Sequence, residues 1–296
     1  MEGKVIIFGG TGFIGKYLSE LLKKYNISAS IVCSGRNGLS KVFENGIIKY
    51  TINICNKNEL ATIVKKYDIV INLIGKLYET NEGEFEKFHH QFPSVLSSTL
   101  TENQKLIHIS ALGIENSCTV SKYAKTKLLG EEAIKHNSKN YVIIRPSIVF
   151  GEGDNFFNMF AKMAKFSPFL PLIGGGNTQF APVYVDDLCL AILKIMQSPE
   201  IKNTTFEAFG QETSTFKEIL EFILHTTKRK RLLLNIPFGV AKIQAQAMNA
   251  FKIYTLTPDQ IALLHHNNIP SEKHPSIKQL IGELKNYKEI VPQYLK

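Results

Sequence analysis

Apolar residues in this chain follow two rhythms that alternate from the amino end. Short unbroken apolar runs read as buried strands, and apolar residues at i, i+3, i+4 read as helix. Val5-Ile6-Ile7-Phe8 is the first run, and Phe13, Ile14, Tyr17, Leu18, Leu21 and Leu22 follow it at helical spacing. The pattern then predicts strands over 28–33 and 47–54, a helix over 56–66 and a strand over 68–75. A helix over 84–100 comes next, bent at Pro93, then a strand over 105–110, a helix over 119–136 and a strand over 141–144. Such alternation with short connections predicts an α/β doubly wound parallel sheet. After Gly151 the rhythm changes. Helices are predicted over 156–166, 185–197, 215–227, 238–251 and 257–265, a strand over 205–209, and a Pro- and Gly-rich loop over 167–182. The chain is therefore read as a sheet domain of residues 1–153, with 183–210 packing back on it, and a smaller, mainly helical lobe of 154–182 and 211–296.

The turn between the first strand and the first helix carries Gly9, Gly12 and Gly15. Gly9 permits a backbone that a Cβ would forbid. Gly12 lets a pyrophosphate approach the main chain, and Gly15 lets helix and strand lie close. The helix N-terminus offers free N–H groups to an anion. A dinucleotide fits this turn; the same glycines without a ligand would be a tight turn alone. The end of the second strand, Ser34-Gly35-Arg36-Asn37, lacks the acidic residue that would hold a ribose 2′-hydroxyl. Arg36, with Ser34 beside it, suits a 2′-phosphate. This predicts a preference for NADP(H) over NAD(H), against the alternative of a solvated surface arginine. Asn53 is a candidate adenine neighbour or plain turn chemistry. Gly75 ends the fourth predicted strand on the cofactor side.

Composition narrows the class. The chain has 296 residues, 44 % hydrophobic and 21 % charged, an ordinary globular balance. No apolar run is long enough for a membrane span, and the first strand begins too early for a secretory signal, which predicts a cytoplasmic protein. The four cysteines are far apart, without metal or disulfide spacing. Neither His89-His90 nor His265-His266 has metal-site spacing, so no metal is assigned. The net charge of +9 suits an anionic cofactor or an acidic surface. No nucleic-acid motif accompanies it.

Four stretches together resemble the extended and atypical short-chain dehydrogenases, the group that includes the NAD-dependent epimerases and dehydratases. They are residues 9–15, Tyr123-x-x-x-Lys127, Arg145-Pro146-Ser147-Ile148-Val149-Phe150-Gly151 and Pro182-Val183-Tyr184-Val185-Asp186-Asp187-Leu188. Within that group, Asn72-Leu73-Ile74-Gly75, His108-Ile109-Ser110-Ala111-Leu112 and Leu256-Thr257-Pro258-Asp259-Gln260 are similar to the accessory subunits of respiratory complex I and their bacterial relatives. The resemblance implies a Rossmann-type fold and cofactor contacts from Gly9, Thr11, Gly12, Phe13, Ile14, Gly15, Ser34, Arg36, Asn53, Ile54, Leu73, Ile74, Gly75, Tyr123, Lys127 and Pro146. In active relatives the Tyr is a general acid/base, and the Lys binds ribose and lowers the Tyr pKa. A Ser or Thr at the end of the fifth strand orients the substrate. Here Leu112 stands where the extended enzymes carry that hydroxyl, and Ser110 stands at the spacing that the smaller enzymes use.

Two functions follow from the resemblance. One is a protein that holds NADP(H) structurally and associates with NADH:quinone oxidoreductase on the inner face of the respiratory membrane. The other is an NADP-dependent oxidoreductase, or an epimerase/dehydratase, on a sugar-nucleotide or quinone-related substrate, using Tyr123 and Lys127, with Ser110 read either as the replacement hydroxyl or as a tie for the strand end. Lys228-Arg229-Lys230-Arg231, before an apolar helix, reads either as a peripheral membrane contact or as a solvated turn. Asp187 reads as a helix cap.

Overall fold

β1 (Val5–Phe8) is buried at every position. Val5 and Ile7 face one apolar core, and Ile6 and Phe8 face another. A parallel strand covered by helices on both faces requires this. The computed structural model describes residues 3–34, 40–44, 47–251 and 256–295. β1 leads into α1 (Phe13–Lys24), β2 (Ala29–Ser34), β3 (Ser40–Glu44), β4 (Ile47–Ile52), α2 (Lys57–Val64) and β5 (Ile69–Asn72). A π-helical segment, Glu86–Gln91, runs into α3 (Phe92–Ser98). Then come β6 (Lys105–Ile109), α4 (Ile114–Ser117), α5 (Lys122–Asn137) and β7 (Tyr141–Pro146).

The remaining elements are β8 (Val149–Phe150), α6 (Phe157–Phe166), β9 (Phe169–Ile173), β10 (Gln179–Phe180), β11 (Val183–Tyr184) and α7 (Val185–Gln197). β12 (Thr204–Ala208), β13 (Ser214–Thr215), α8 (Phe216–Thr226), β14 (Leu232–Ile236), α9 (Phe238–Ala250), α10 (Pro258–Leu263), α11 (Lys278–Ile281) and α12 (Tyr287–Tyr294) complete the chain. The main sheet has eight strands in the order β12-β7-β6-β5-β1-β2-β4-β3. Its pairings are parallel except β3 with β4. Strand order reverses between β1 and β5, so the carboxyl ends of those two strands open the crevice where such sheets bind ligands.

Residues after 182 return to this sheet. β12 pairs with β7, and Leu188, Ile192 and Ile195 of α7 share a core with Leu18 and Leu22 of α1. A separate aromatic core joins Phe150, Phe157, Phe160, Phe216 and Tyr287.

Three expectations need correction. The loop read over 167–182 contains β9 and a 3₁₀ turn at Gly174–Gly176, because β14 pairs with β9 in register from Leu232↔Phe169 to Ile236↔Ile173. Pro171 is tolerated there because the ribbon has only two strands, both of them edges. β3 was not foreseen. The helix over 84–100 changes type along its length: Glu86–Gln91 is π-helical and Phe92–Ser98 is α-helical, with helical backbone at the join, and Pro93, which has no N–H to give, sits just after the change.

Candidate functional site

The glycine turn is shaped by contact. Gly9 has φ +83, and a Cβ there would lie 3.1 Å from the Ile74 nitrogen and the Leu73 carbonyl carbon. A Cβ on Gly15 would lie 2.5 Å from Gly10 Cα and Gly9 O. One on Gly12 would meet only Gly9 O, at 3.3 Å. Gly12 N donates to Gly9 O at 3.0 Å and closes the turn. α1 starts at Gly12 with no side-chain cap and no acidic residue in its first turn. Its first N–H groups and the positive end of its dipole are therefore not neutralised locally. Thr11 is exposed, while Phe13 and Ile14 pack down onto the core. This cradle fits a diphosphate, since a Cβ at Gly12 would project into the space one needs.

The other expected contacts lie at strand ends. Leu73, Ile74 and Gly75 follow β5; the first two pass beside Gly9, and a Cβ on Gly75 would lie 3.3 Å from Lys127 Nζ. Ser34 ends β2 and Pro146 ends β7. Asn53 follows β4, and its side chain accepts the Cys55 N–H at 3.1 Å, which is turn chemistry. Ile54 is buried. Arg36 lies outside the described residues.

α5 carries Tyr123 and Lys127 one turn apart. Ser121 caps this helix by accepting the Ala124 N–H at 3.1 Å. Asp259 of α10 accepts Lys122 N at 2.7 Å and Tyr123 N at 3.2 Å. Lys127 is buried, and its ammonium donates to Ile109 O at 3.0 Å. Burial lowers its pKa to about 8, against the pull of Glu131. Tyr123 departs from expectation: burial, then the Asp259 charge, pushes its phenol up to about 12. The ammonium that should favour phenolate is directed at a main-chain carbonyl instead.

Two histidines complete the cluster. His89 of the π segment is fully buried and stacks on Phe85 with centroids 5.1 Å apart. Its ring meets Tyr123 edge-on, also at 5.1 Å. Its Nε2 accepts Lys76 N–H at 3.0 Å, which leaves Nδ1 to donate to Thr126 Oγ1 at 3.2 Å. α5 comes this close because residue 130 is glycine; a Cβ there would strike the His89 carbonyl. Burial, with Lys127 and His108 adding to it, lowers the His89 pKa to about 2. His108 of β6 is also buried and held well below its ordinary range. Its Nδ1 accepts from Asn72 Nδ2 at 3.0 Å, and Asn72 Oδ1 accepts Ile74 N–H at 3.0 Å. His108 Nε2 and Ser110 Oγ are buried without a partner.

Leu112 is buried, with its N–H bound to Pro146 O at 2.9 Å. Sequence reasoning gave no role to His89, His108, Asn72 or Asp259. A signal was available for two of them: His108 follows Leu106-Ile107 in β6 and Asn72 ends the apolar run of β5, both polar residues in buried strands. Asp187 is corrected. Its carboxylate accepts Lys285 N–H at 2.7 Å and ties down a distant loop rather than capping α7. Among the described residues, no group of three or more His, Cys, Asp or Glu could hold a metal ion. A cavity of about 260 Å³ opens beside Gly75, lined by Lys76, Leu77, Tyr78, Thr80 and Asn155.

Comparison with known proteins gives the same outline. The chain is 29 % identical over 248 residues to NADH dehydrogenase [ubiquinone] 1 alpha subcomplex subunit 9, mitochondrial, of Arabidopsis thaliana, covering 81 % of this chain and 61 % of that protein. It is 30 % identical over 236 residues to the protein of the same name from Dictyostelium discoideum, covering 78 % and 65 %. It thus spans less than two thirds of the length of either relative. A UDP-glucose 4-epimerase from Thermotoga maritima, solved with UDP-glucose, superposes with a TM-score of 0.73 over 99 % of this chain and 97 % of that one, at 17 % identity. At that identity the likeness carries the fold alone. The model of the NAD dependent epimerase/dehydratase family matches residues 5–207. With the glycine turn at the switch point of a doubly wound sheet, the chain belongs to the NAD-dependent epimerase/dehydratase family.

Proposed function

We propose that the chain holds a nicotinamide dinucleotide, NADP(H) in preference to NAD(H), as a fixed structural part, and that it associates with respiratory NADH:quinone oxidoreductase. The observation that carries this reading is the place of the substrate-orienting hydroxyl, which buried Leu112 occupies. The Lys127 ammonium, bound to Ile109 O, and the upward push on the Tyr123 phenol agree with it. Residues 9–15 would hold the diphosphate, Ser34 and Arg36 the 2′-phosphate, Asn53 and Ile54 the adenine side. Leu73, Ile74, Gly75, Pro146, Tyr123 and Lys127 would hold the nicotinamide side. A bound nicotinamide supplies hydride chemistry; here the chain's own groups serve to bind and orient it. A ligand that binds only the folded chain stabilises it by mass action.

The division into a dinucleotide domain of 1–153 with 183–210, and a partner-facing lobe of 154–182 and 211–296, belongs to this reading. The names of the two relatives support the respiratory partner. Exposed Val240, Ile243 and Phe251, which follow Lys228–Arg231 in the chain, support peripheral contact with an anionic membrane. No helix among the described residues is long and apolar enough to cross a membrane. The test is to denature the purified protein and identify the released nucleotide by mass, and to isolate tagged protein from native membranes. NADP(H) and respiratory subunits are expected. Protein that carries no dinucleotide, or never brings down those subunits, defeats the reading.

Ser110 favours a second reading. Its buried, unpartnered hydroxyl at the end of β6 is a donor awaiting an acceptor. An active NADP-dependent oxidoreductase or epimerase/dehydratase on a sugar-nucleotide or quinone-related substrate would use it with Tyr123 and Lys127. Tyr123→Phe would then abolish turnover and leave cofactor binding intact. Absence of turnover across a broad substrate panel counts against it.

A further inference from the structure

A second cavity, of about 390 Å³, opens in the smaller lobe and shares no residue with the dinucleotide cleft. One face of α6 forms its wall with Asn158, Ala161, Lys162, Lys165 and Phe166, at helical spacing. Arg229, just beyond α8, and Tyr294 with Leu295, at the end of α12, close it. Three lining side chains are cationic and none is acidic. The nearest carboxylate in sequence, Asp154, is turned to the start of α6, where it accepts Phe156 N at 2.8 Å and Phe157 N at 2.7 Å. Its other oxygen accepts the Tyr294 hydroxyl at 2.7 Å.

Two donors in this wall lack acceptors. Asn158 Nδ2 and Arg229 Nη1 are both shielded from solvent, and neither makes a hydrogen bond. Each unmade bond on a buried donor costs free energy, and here both fall on one cationic cavity. Arg229 is also held in place by its backbone. Lys228 takes φ +52, its N–H donates to His225 O at 3.0 Å, and Arg229 N–H donates to Leu224 O at 2.9 Å. That is a Schellman closure of α8 with lysine where glycine is usual. The basic run is therefore divided. Arg231 donates from Nε to Ala164 O at 2.8 Å and fastens the end of α6, whereas Arg229 lines the cavity.

We propose that this cavity is a phosphate-binding site, in which Arg229, Lys162, Lys165 and the Asn158 amide donate to one phosphate group. Guanidinium, ammonium and amide donors together match the several acceptor oxygens of a phosphate. The phosphate reaches it on a soluble phosphomonoester or on a lipid headgroup. The rim speaks for the lipid source. Phe166, which lines the cavity, is 75 % exposed, and Leu232 and Phe169, paired across β14 and β9, are exposed as well. The site does not depend on the dinucleotide reading.

The experiment uses the full chain with two probes: sn-glycerol 3-phosphate by calorimetry, and phosphatidylcholine vesicles with or without phosphatidate by flotation. Binding to one or both is expected, weakened at least about tenfold in Arg229→Gln and in the Lys162→Gln/Lys165→Gln double variant. Lys194→Gln, on α7, should bind as the unmodified chain does. The soluble probe alone identifies a free phosphomonoester, and phosphatidate vesicles alone identify a lipid. The lysine pair is exposed, so its variant keeps the test valid if Arg229→Gln fails to fold. No binding of either probe, equal binding in the cavity variants, or an equal loss in Lys194→Gln overturns the proposal. Dinucleotide titration of the same variants should be unchanged, which separates this outcome from failure of the cofactor reading.

Discussion

The Asp259 carboxylate lies 2.8 Å from the Ser121 hydroxyl, across 138 residues of chain, and so the first turn of α10 caps the helix that presents Tyr123. Asp259 also takes the Lys122 and Tyr123 N–H groups. These are orphan donors of a helix start, and a carboxylate there also suits the helix dipole. Asp259→Ala is expected to destabilise the protein by about 1–2 kcal/mol, the usual cost of a lost cap. Loss of the nearby negative charge should also lower the Tyr123 pKa from its value of about 12. Urea denaturation and amide exchange in the first turn of α5 measure the first effect. Ultraviolet titration against Tyr123→Phe measures the second. Unaltered exchange in that turn would show that the cap does not hold the helix.

The two buried histidines set an acid limit. An unfolded histidine takes a proton near pH ~6.5, whereas His89 in the fold resists until about 2 and His108 is held well below its ordinary range. The unfolded chain therefore binds more protons below pH ~6.5, and stability falls as pH drops. Each histidine contributes a slope approaching about 1.4 kcal/mol per pH unit. Carboxylates held low, such as Glu84 at about 2, add their own loss only at lower pH. Denaturant midpoints measured from pH 7.5 down to pH 5 isolate the histidines. His89→Gln should remove about half of the slope over that window, and an unchanged slope would remove His89 from the account.

How much of this was legible in the sequence depends on the range of the interaction. The strands of the central sheet could be read because Val5–Phe8 and Ile69–Asn72 are apolar on both faces. β9 and β14 could not. Pro171 and the glycines after Ile173 read as a loop, and Leu232 and Leu234 are exposed, so β14 has no buried rhythm. β3 had a local signal that went unread: Asn45-Gly46 separates it from β4, a dipeptide favoured in two-residue hairpins. At the site, Tyr123 and Lys127 were visible from their spacing on one helix. The reversed Tyr123 shift was not, because it arises from burial and from Asp259, which lies 136 residues away.

Gly12 and Gly15 separate ligand binding from folding. Gly12 already has φ −75 and ψ 179, angles that alanine adopts freely. An added Cβ meets only Gly9 O, at 3.3 Å. Gly12→Ala should change stability by no more than about 1 kcal/mol, yet weaken dinucleotide binding at least about tenfold. Gly15→Ala drives its Cβ into the Gly9–Gly10 backbone. It should cost about 3 kcal/mol or more. Thermal melts without nucleotide, paired with calorimetry using NADPH, check both. A Gly12→Ala protein that binds as tightly as the unmodified chain would remove the diphosphate from this turn.

Glu131 links the core beneath α5 to the charge state of the cleft. Its oxygens accept Arg145 Nε at 2.9 Å and Nη2 at 2.7 Å, and the glutamate is fully buried. Arg145 keeps a further bond to Glu115, which is partly exposed. Removing one partner of a buried pair leaves the other charge uncompensated, so Glu131→Gln should cost about 3 kcal/mol. Glu115→Gln should cost about 1 kcal/mol, because Glu115 is partly exposed and Arg145 keeps its bonds to Glu131. Glu131 also draws the Lys127 pKa upward, and burial already holds it to about 8. Without that carboxylate the ammonium deprotonates at lower pH. A dinucleotide held through the ammonium should then bind the Glu131→Gln protein normally at pH 6 and progressively more weakly as pH approaches 8. The unmodified chain should show the same fall displaced to higher pH, centred near 8. Calorimetry across this range decides it. Parallel pH profiles for the two proteins would mean that Lys127 does not hold the ligand through its charge.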